Sequence, residues 1–216
     1  PSQILEEVFP GKNIFVLSGP TIAGEVANKI PTTVVLASKS KEKEKIRELL
    51  SSENFRVYTS SDVLGVELGG ALKNVIAIAA GISDGLGFGT NTKSAILTRG
   101  LAEITRLGVK MGADSITFSG LSGIGDLATT CINVSSRNRT FGENIGKGEN
   151  IKKLLSSTEM VIEGMATCKS GHDLSKKYNV DMPITNKVYE VLYKQKSPLE
   201  AVKELMSRDL KEENYN

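Results

Sequence analysis

Near residue 62 the spacing of apolar positions changes. Ahead of it, short apolar runs rich in β-branched residues are separated by polar stretches; beyond it, apolar residues return at helical spacing between glycine-rich turns. Three runs in the first part predict strands over 13–18, 32–37 and 55–59. The first ends at Gly19-Pro20, where a helix can begin. Residues 41–50 predict a helix of good helix formers with the apolar ones late, and its run of lysines and glutamates reads as a solvated face.

After residue 62 the pattern predicts helices over 66–82, 93–107, 126–131, 140–145, 151–155, 168–178, 184–192 and 199–206. No repeat period or low-complexity linker divides them. The expected fold class is mixed, with an α/β part over 1–62 leading into an all-helical part over 63–216. Sheets usually have about five or six strands, so three strands imply a truncated α/β unit whose sheet is incomplete.

Composition fits a folded chain. With 39% hydrophobic and 24% charged residues over 216 positions, a core can form without covalent staples. A net charge of +2 gives no reason to expect nucleic acid or an anionic membrane as partner. Cys131, Cys168 and the single His172 lack metal-ligand spacing, which argues against a metal and against a disulfide scaffold; a reducing, cytoplasmic setting is the simplest fit. No signal-peptide pattern opens the chain. The longest apolar stretch, 68–82, falls short of the roughly 20 residues of a membrane span and contains Lys73 and Asn74, so no span is expected. The first residue is Pro1 rather than Met, as in a processed or truncated product.

Four clusters carry candidate chemistry. In 68–82 a helix apolar on all sides holds only two polar side chains, Lys73 and Asn74. Burial disfavours the lysine's charge unless a carboxylate compensates. Helical side chains lean over the preceding turn, here Gly69-Gly70, which is expected to leave open space for a ligand. A lysine snorkelling from the helix or paired to a structural acid is the plainer alternative. The second cluster runs from Ser119 to Cys131, with glycines at 120, 123 and 125; Asp126 taken alone reads as a helix cap, and Thr130 shares its face. Third, Ser135, Ser136, Arg137, Asn138 and Arg139 precede a helix, a setting for phosphate or for ordinary capping with two solvated arginines. Fourth, Ser18-Gly19-Pro20-Thr21 is a strand-to-helix turn of the kind that meets ligands at a strand's carboxyl end. Neither G-x-G-x-x-G after a strand nor a P-loop is present, and one histidine supports no Ser/His/Asp triad.

Taken together, the segments LSGPT (17–21), FRVYTS (55–60), GVELGGALKNVIAIAAGISDGLGFGTNTKSAILTRGLAE (65–103), GLSGIGDLATTC (120–131), SSRNRTFG (135–142), VIEGMAT (161–167) and MPIT (182–185) resemble the NAD(P)-dependent glycerol-3-phosphate dehydrogenases of bacterial type. The resemblance implies the end of a Rossmann-type sheet followed by an all-helical substrate domain of the 6-phosphogluconate-dehydrogenase C-terminal type. It implies interconversion of dihydroxyacetone phosphate and sn-glycerol 3-phosphate with NAD or NADP, supplying phospholipid synthesis. Lys73 is then the proton carrier, and Gly19, Thr21, Asn74, Asp126, Thr130, Ser136, Arg137 and Asn138 contact substrate. Ala23, Arg137, Val161 and Glu163 are implied as cofactor contacts. The family's opening glycine loop and an early lysine are missing from these residues, so the chain alone is expected to turn over at least about a thousandfold below an intact homologue.

Two other readings remain open on sequence. One is a non-catalytic module for phosphorylated metabolites or for assembly. The other is a related β-hydroxyacid dehydrogenase, whose substrates need a carboxylate pocket. An incomplete sheet with exposed edge also favours self-association, a homodimer being the simplest form.

Overall fold

The computed structural model describes residues 1–156 and 161–213. It opens with a short helix, α1 (Ser2–Val8), followed by β1 (Val16–Ser18), α2 (Ala23–Ala27), β2 (Thr32–Ala37), α3 (Lys43–Leu50) and β3 (Phe55–Ser60). The strands form one sheet in the order β1-β2-β3. β1 runs antiparallel to β2, with Val16 opposite Ala37, and β2 runs parallel to β3, with Thr32 opposite Phe55.

The middle strand, β2, explains the layout. Val34 and Leu36 join Val57 on one face, where Ile46 of α3 packs; Val35 and Ala37 meet Val66 and Val63 on the other. A strand buried on both faces has no polar alternation, and its continuous apolar run made its limits readable. β1 is shorter than expected. Residues 13–15 lie outside the ladder because β2 ends at Ala37, and the carbonyl of Ile14 instead accepts from the Ser38 hydroxyl at 2.7 Å. The helix after Gly19-Pro20 also starts later, at Ala23.

Beyond the sheet come α4 (Val63–Gly85), α5 (Thr90–Lys110), α6 (Ser115–Phe118), a wide turn over Leu121–Gly125, α7 (Asp126–Ile132), α8 (Arg137–Gly146), α9 (Ile151–Ser156), α10 (Glu163–Tyr178), α11 (Pro183–Lys194) and α12 (Pro198–Met206). Asp62 starts α4 by accepting from the Gly65 amide at 2.9 Å. At 23 residues, with an 18-residue stretch whose mean hydropathy is 1.6, α4 is longer than its apolar stretch suggested and could cross a membrane by length and composition alone. The physical reason for its apolarity is burial: Val75, Ile76, Ala77, Ile78 and Ala80 are fully enclosed at the centre of the helical core.

α8 lies against α4 at backbone distance. A Cβ at Gly81 would run into the Arg139 carbonyl, and one at Gly142 into the Ile78 carbonyl. This pairing of small residues carries the first turn of α8 onto Asn74. Glu103 of α5 fastens α11 in turn: its buried carboxylate accepts from the amides of Ile184 at 2.6 Å and Thr185 at 3.1 Å and from the Thr185 hydroxyl at 3.0 Å. Those are first-turn donors that α11 cannot satisfy itself.

Candidate active site

Lys73 sits mid-way along α4, its side chain 20% exposed, with Nζ 2.5 Å from Oδ1 of Asp126. The two glycines of the preceding turn do not leave the open space expected of them. A Cβ at Gly69 would meet the Ser122 carbonyl, and one at Gly70 would stand 3.0 Å from the Ser18 hydroxyl. Gly69 admits another stretch of backbone and Gly70 a neighbouring side chain; spacing alone shows that something approaches, not what it is.

Asp126 opens α7 directly after the wide turn at 121–125. Its side chain makes no cap, so the plain reading of this residue as a helix cap does not hold. The carboxylate turns to the interior, only 6% exposed, where Oδ1 takes the Lys73 ammonium and Oδ2 faces the Ser18 hydroxyl at 3.4 Å. Burial pushes the Asp126 carboxyl above the usual carboxylate range, against the pull of the Lys73 charge and of hydrogen bonds from Lys73, Ser18 and Thr130. Thr130 lies one turn on, donating to the Asp126 carbonyl at 2.7 Å and standing 3.5 Å from Oδ1.

Asn74 leads to a second group. Asn138, 4% exposed, donates to the Asn74 amide oxygen at 3.0 Å and to Glu163 at 3.4 Å, and accepts from the Gly164 amide at 2.9 Å. Arg137 forms an ion pair with Glu163, the two side chains being 46% and 40% exposed. Ser136 caps α8, accepting from the Arg139 amide at 3.4 Å. Asn74, Asn138, Glu163 and Arg137 form a polar track that begins one residue along α4 from the Lys73–Asp126 pair.

Arg139 leaves this track. It is buried against Asp84 at 2.7 Å, which Lys93 also reaches at 2.7 Å, with Glu143 3.4 Å away. The picture of two solvated arginines therefore fails for Arg139, which has turned inward to a carboxylate three helical turns from Lys73.

The Gly19–Thr21 turn forms a third edge. Gly19 has φ +140°, and a Cβ there would lie 3.1 Å from the Val34 Cα, so glycine is required on both counts. The exposed Thr21 hydroxyl donates to the Gly19 carbonyl at 3.2 Å. Ala23 and Val161 are exposed, and each shares a segment with another candidate, Ala23 with Thr21 and Val161 with Glu163. Ser18 was not singled out as a site residue; its position at the end of a strand was visible, its partner 108 residues away was not. Among the described residues no three His, Cys, Asp or Glu side chains could hold a metal ion.

A small α/β sheet leads into an all-helical portion, and a part-buried lysine–aspartate pair lies where the strand-end residue Ser18 meets the helices. The sequence places the chain more closely: residues 62–203 match the family model for the C-terminus of NAD-dependent glycerol-3-phosphate dehydrogenase, and residues 1–44 match that for its N-terminus. The chain belongs to the NAD-dependent glycerol-3-phosphate dehydrogenase family. It is 53% identical to glycerol-3-phosphate dehydrogenase [NAD(P)+] of Leptospira biflexa, covering 98% of this chain and 65% of that protein. The Staphylococcus aureus protein of the same name is also 53% identical, with 98% and 65% covered. Among solved structures, glycerol-3-phosphate dehydrogenase from Coxiella burnetii superposes with a TM-score of 0.92 at 40% identity, covering 96% of this chain and 64% of that one. The Saccharomyces cerevisiae enzyme gives 0.82 at 28% identity, with 94% and 62% covered. The chain thus spans about 65% of the length of the curated relatives it matches.

Proposed function

We propose that these residues serve an oxidoreductase that interconverts dihydroxyacetone phosphate and sn-glycerol 3-phosphate with NAD or NADP in the cytoplasm, supplying phospholipid synthesis. Residues 1–62 belong to its nucleotide-binding part and 63–216 to its substrate part. The observation that carries the reading is the part-buried Lys73–Asp126 pair, next along α4 from the Asn74–Asn138–Glu163–Arg137 track. Family membership supports the chemistry assigned to it.

The cofactor, when bound, supplies and accepts the hydride. The exposed Arg137, Glu163 and Val161, with Ala23 beside the Gly19 turn, fit one end of a dinucleotide; Gly19 brings backbone close where a side chain could not stand. Reduction of the substrate's carbonyl carbon leaves charge on its oxygen. Lys73 stabilises that developing alkoxide and gives it a proton, and takes the proton back in the oxidation direction. Asp126 keeps the lysine charged and aimed, with Thr130 bonded to the Asp126 backbone carbonyl one turn back. Asn74, Gly19 and Thr21 orient substrate oxygens.

Ser136, Arg137 and Asn138 hold the phosphate, for which Arg137 and Asn138 exchange their bonds to Glu163. A phosphate fixed away from the reacting carbon supplies binding energy for positioning. Titration of the chain with glycerol 3-phosphate and with glycerol, followed by amide NMR shifts, tests this. Saturable shifts at Ser136, Arg137 and Asn138 with the phosphate ester alone are expected, weakened in R137A. Equal response to both compounds, or none to either, contradicts the phosphate assignment.

A further inference from the structure

We infer that Ser18 is a positioning residue for the Lys73–Asp126 pair, tying the sheet to the carboxylate oxygen that Lys73 leaves unused. For its catalytic consequence this rests on the reading of Lys73 as proton carrier; the tie itself does not.

Three features place the hydroxyl. Ser18 is the last residue of β1 and is held by pairing opposite Val35 of β2. The next residue, Gly19, turns the chain away at φ +140°, packed against Val34 and Thr33, so the strand end has little room to shift. On the other side Gly70 of α4 presents no side chain, and a Cβ there would stand 3.0 Å from Oγ, tighter than normal contact. Ser18 Oγ is thereby directed to Asp126 Oδ2 at 3.4 Å.

The division of labour on Asp126 is then clear. Oδ1 takes the Lys73 ammonium at 2.5 Å, while Thr130 spends its proton mainly on the Asp126 carbonyl at 2.7 Å. Ser18 is the side-chain donor to Oδ2 among the described residues. With Lys73 on one oxygen and the Ser18 hydroxyl facing the other, rotation of the carboxylate about its last bond is biased toward the orientation that meets the lysine. Lys73 is the charged group set against Asp126; Cys131, further along α7, is a thiol that burial pushes up to about 12 and is neutral through the working range. The tie also links Gly19 and Thr21, one and three residues on, to the centre on α4.

The test is the carboxyl titration of Asp126 in this chain, read by ¹³C NMR in wild type, S18A, S18T and G70A. Loss of a donor to the charged form raises a carboxyl, so S18A is expected to move the midpoint up by about half a pH unit. S18T, which keeps a hydroxyl, returns it toward wild type. G70A keeps Ser18 but pushes its hydroxyl aside, and is expected to reproduce the S18A shift. Alanine is a better helix former than glycine by about 1 kcal/mol, so G70A remains folded, and in the S18A background it adds nothing. A general loss of stability would not give this pattern. An unmoved midpoint in S18A, or a further rise when G70A is added to S18A, overturns the inference. The titration needs no turnover, so its failure is separate from that of the dehydrogenase reading, which NADH oxidation decides.

Discussion

Asn138 of α8 donates across 3.0 Å to the side-chain oxygen of Asn74 on α4, and its own oxygen accepts from the first turn of α10 at Gly164. One buried amide thus joins three helices at the residue next to Lys73. Replacing Asn138 by alanine leaves the Gly164 amide without its partner in the interior. A stranded buried donor costs about 1–3 kcal/mol, so N138A is expected to lower the midpoint of chemical unfolding accordingly. Unchanged stability would show that the three-helix joint contributes nothing.

The close approach of α4 and α8 makes a second prediction. A methyl group at Gly142 meets the Ile78 carbonyl, a rigid backbone atom rather than a movable side chain. Overpacking of this kind costs about 1–3 kcal/mol, offset in part by better helix propensity. G142A is expected to melt lower than wild type and to shift the Asn74 and Asn138 side-chain amide resonances. A G142A protein that melts higher, with those resonances unmoved, contradicts the backbone-contact account.

Glu103 governs a pH dependence. Burial pushes its carboxyl up to about 7, against the lowering effects of the Ile184 and Thr185 donors and the charge of Arg106. A group whose folded value lies above its unfolded one stabilises fully below the unfolded value of 4.5, and that contribution fades as pH rises toward 7. The shift corresponds to roughly 3 kcal/mol. E103Q carries no charge to bury, so its stability relative to wild type is expected to rise between pH 5 and pH 8. Melting curves of the two proteins that stay parallel across that range would show that burial does not raise Glu103.

Arg137 and Glu163 form an exposed pair, and such pairs contribute no more than about 1 kcal/mol. If phosphate takes Arg137 from Glu163, E163Q removes the competing carboxylate. Its affinity for glycerol 3-phosphate is expected to increase by up to about fivefold, read by calorimetry at low salt. Weaker phosphate binding in E163Q would place Glu163 among the groups that hold the ligand.

Where the sequence was informative, a single physical cause dominated the local pattern. β2 could be delimited because both of its faces are buried, and α4 could be located, though not bounded, because its central stretch is apolar all round. Lys73 stood out as a cation in such a helix, and Asp126 and Arg137 as polar groups at helix starts. The short helices α1, α2 and α6 give no periodic signal over so few residues, and α1 is held by Ser2 bonding to Glu67, 65 residues on. The roles of Gly69 and Gly70 were half visible: glycine marks a close approach, but the atoms that arrive come from Ser122 and Ser18. Arg139 turned inward for the same kind of reason, since its partner Asp84 lies on α4 and nothing near position 139 announces it.

The central claim is that Lys73, held by Asp126, delivers the proton. The most direct measurement is NADH oxidation with dihydroxyacetone phosphate by the full-length gene product, comparing wild type with K73M. General acid catalysis is worth about 10²–10⁴-fold, so K73M is expected to lose turnover by that factor while its affinity for glycerol 3-phosphate changes by less than about threefold. Turnover in K73M within a few-fold of wild type would contradict the account.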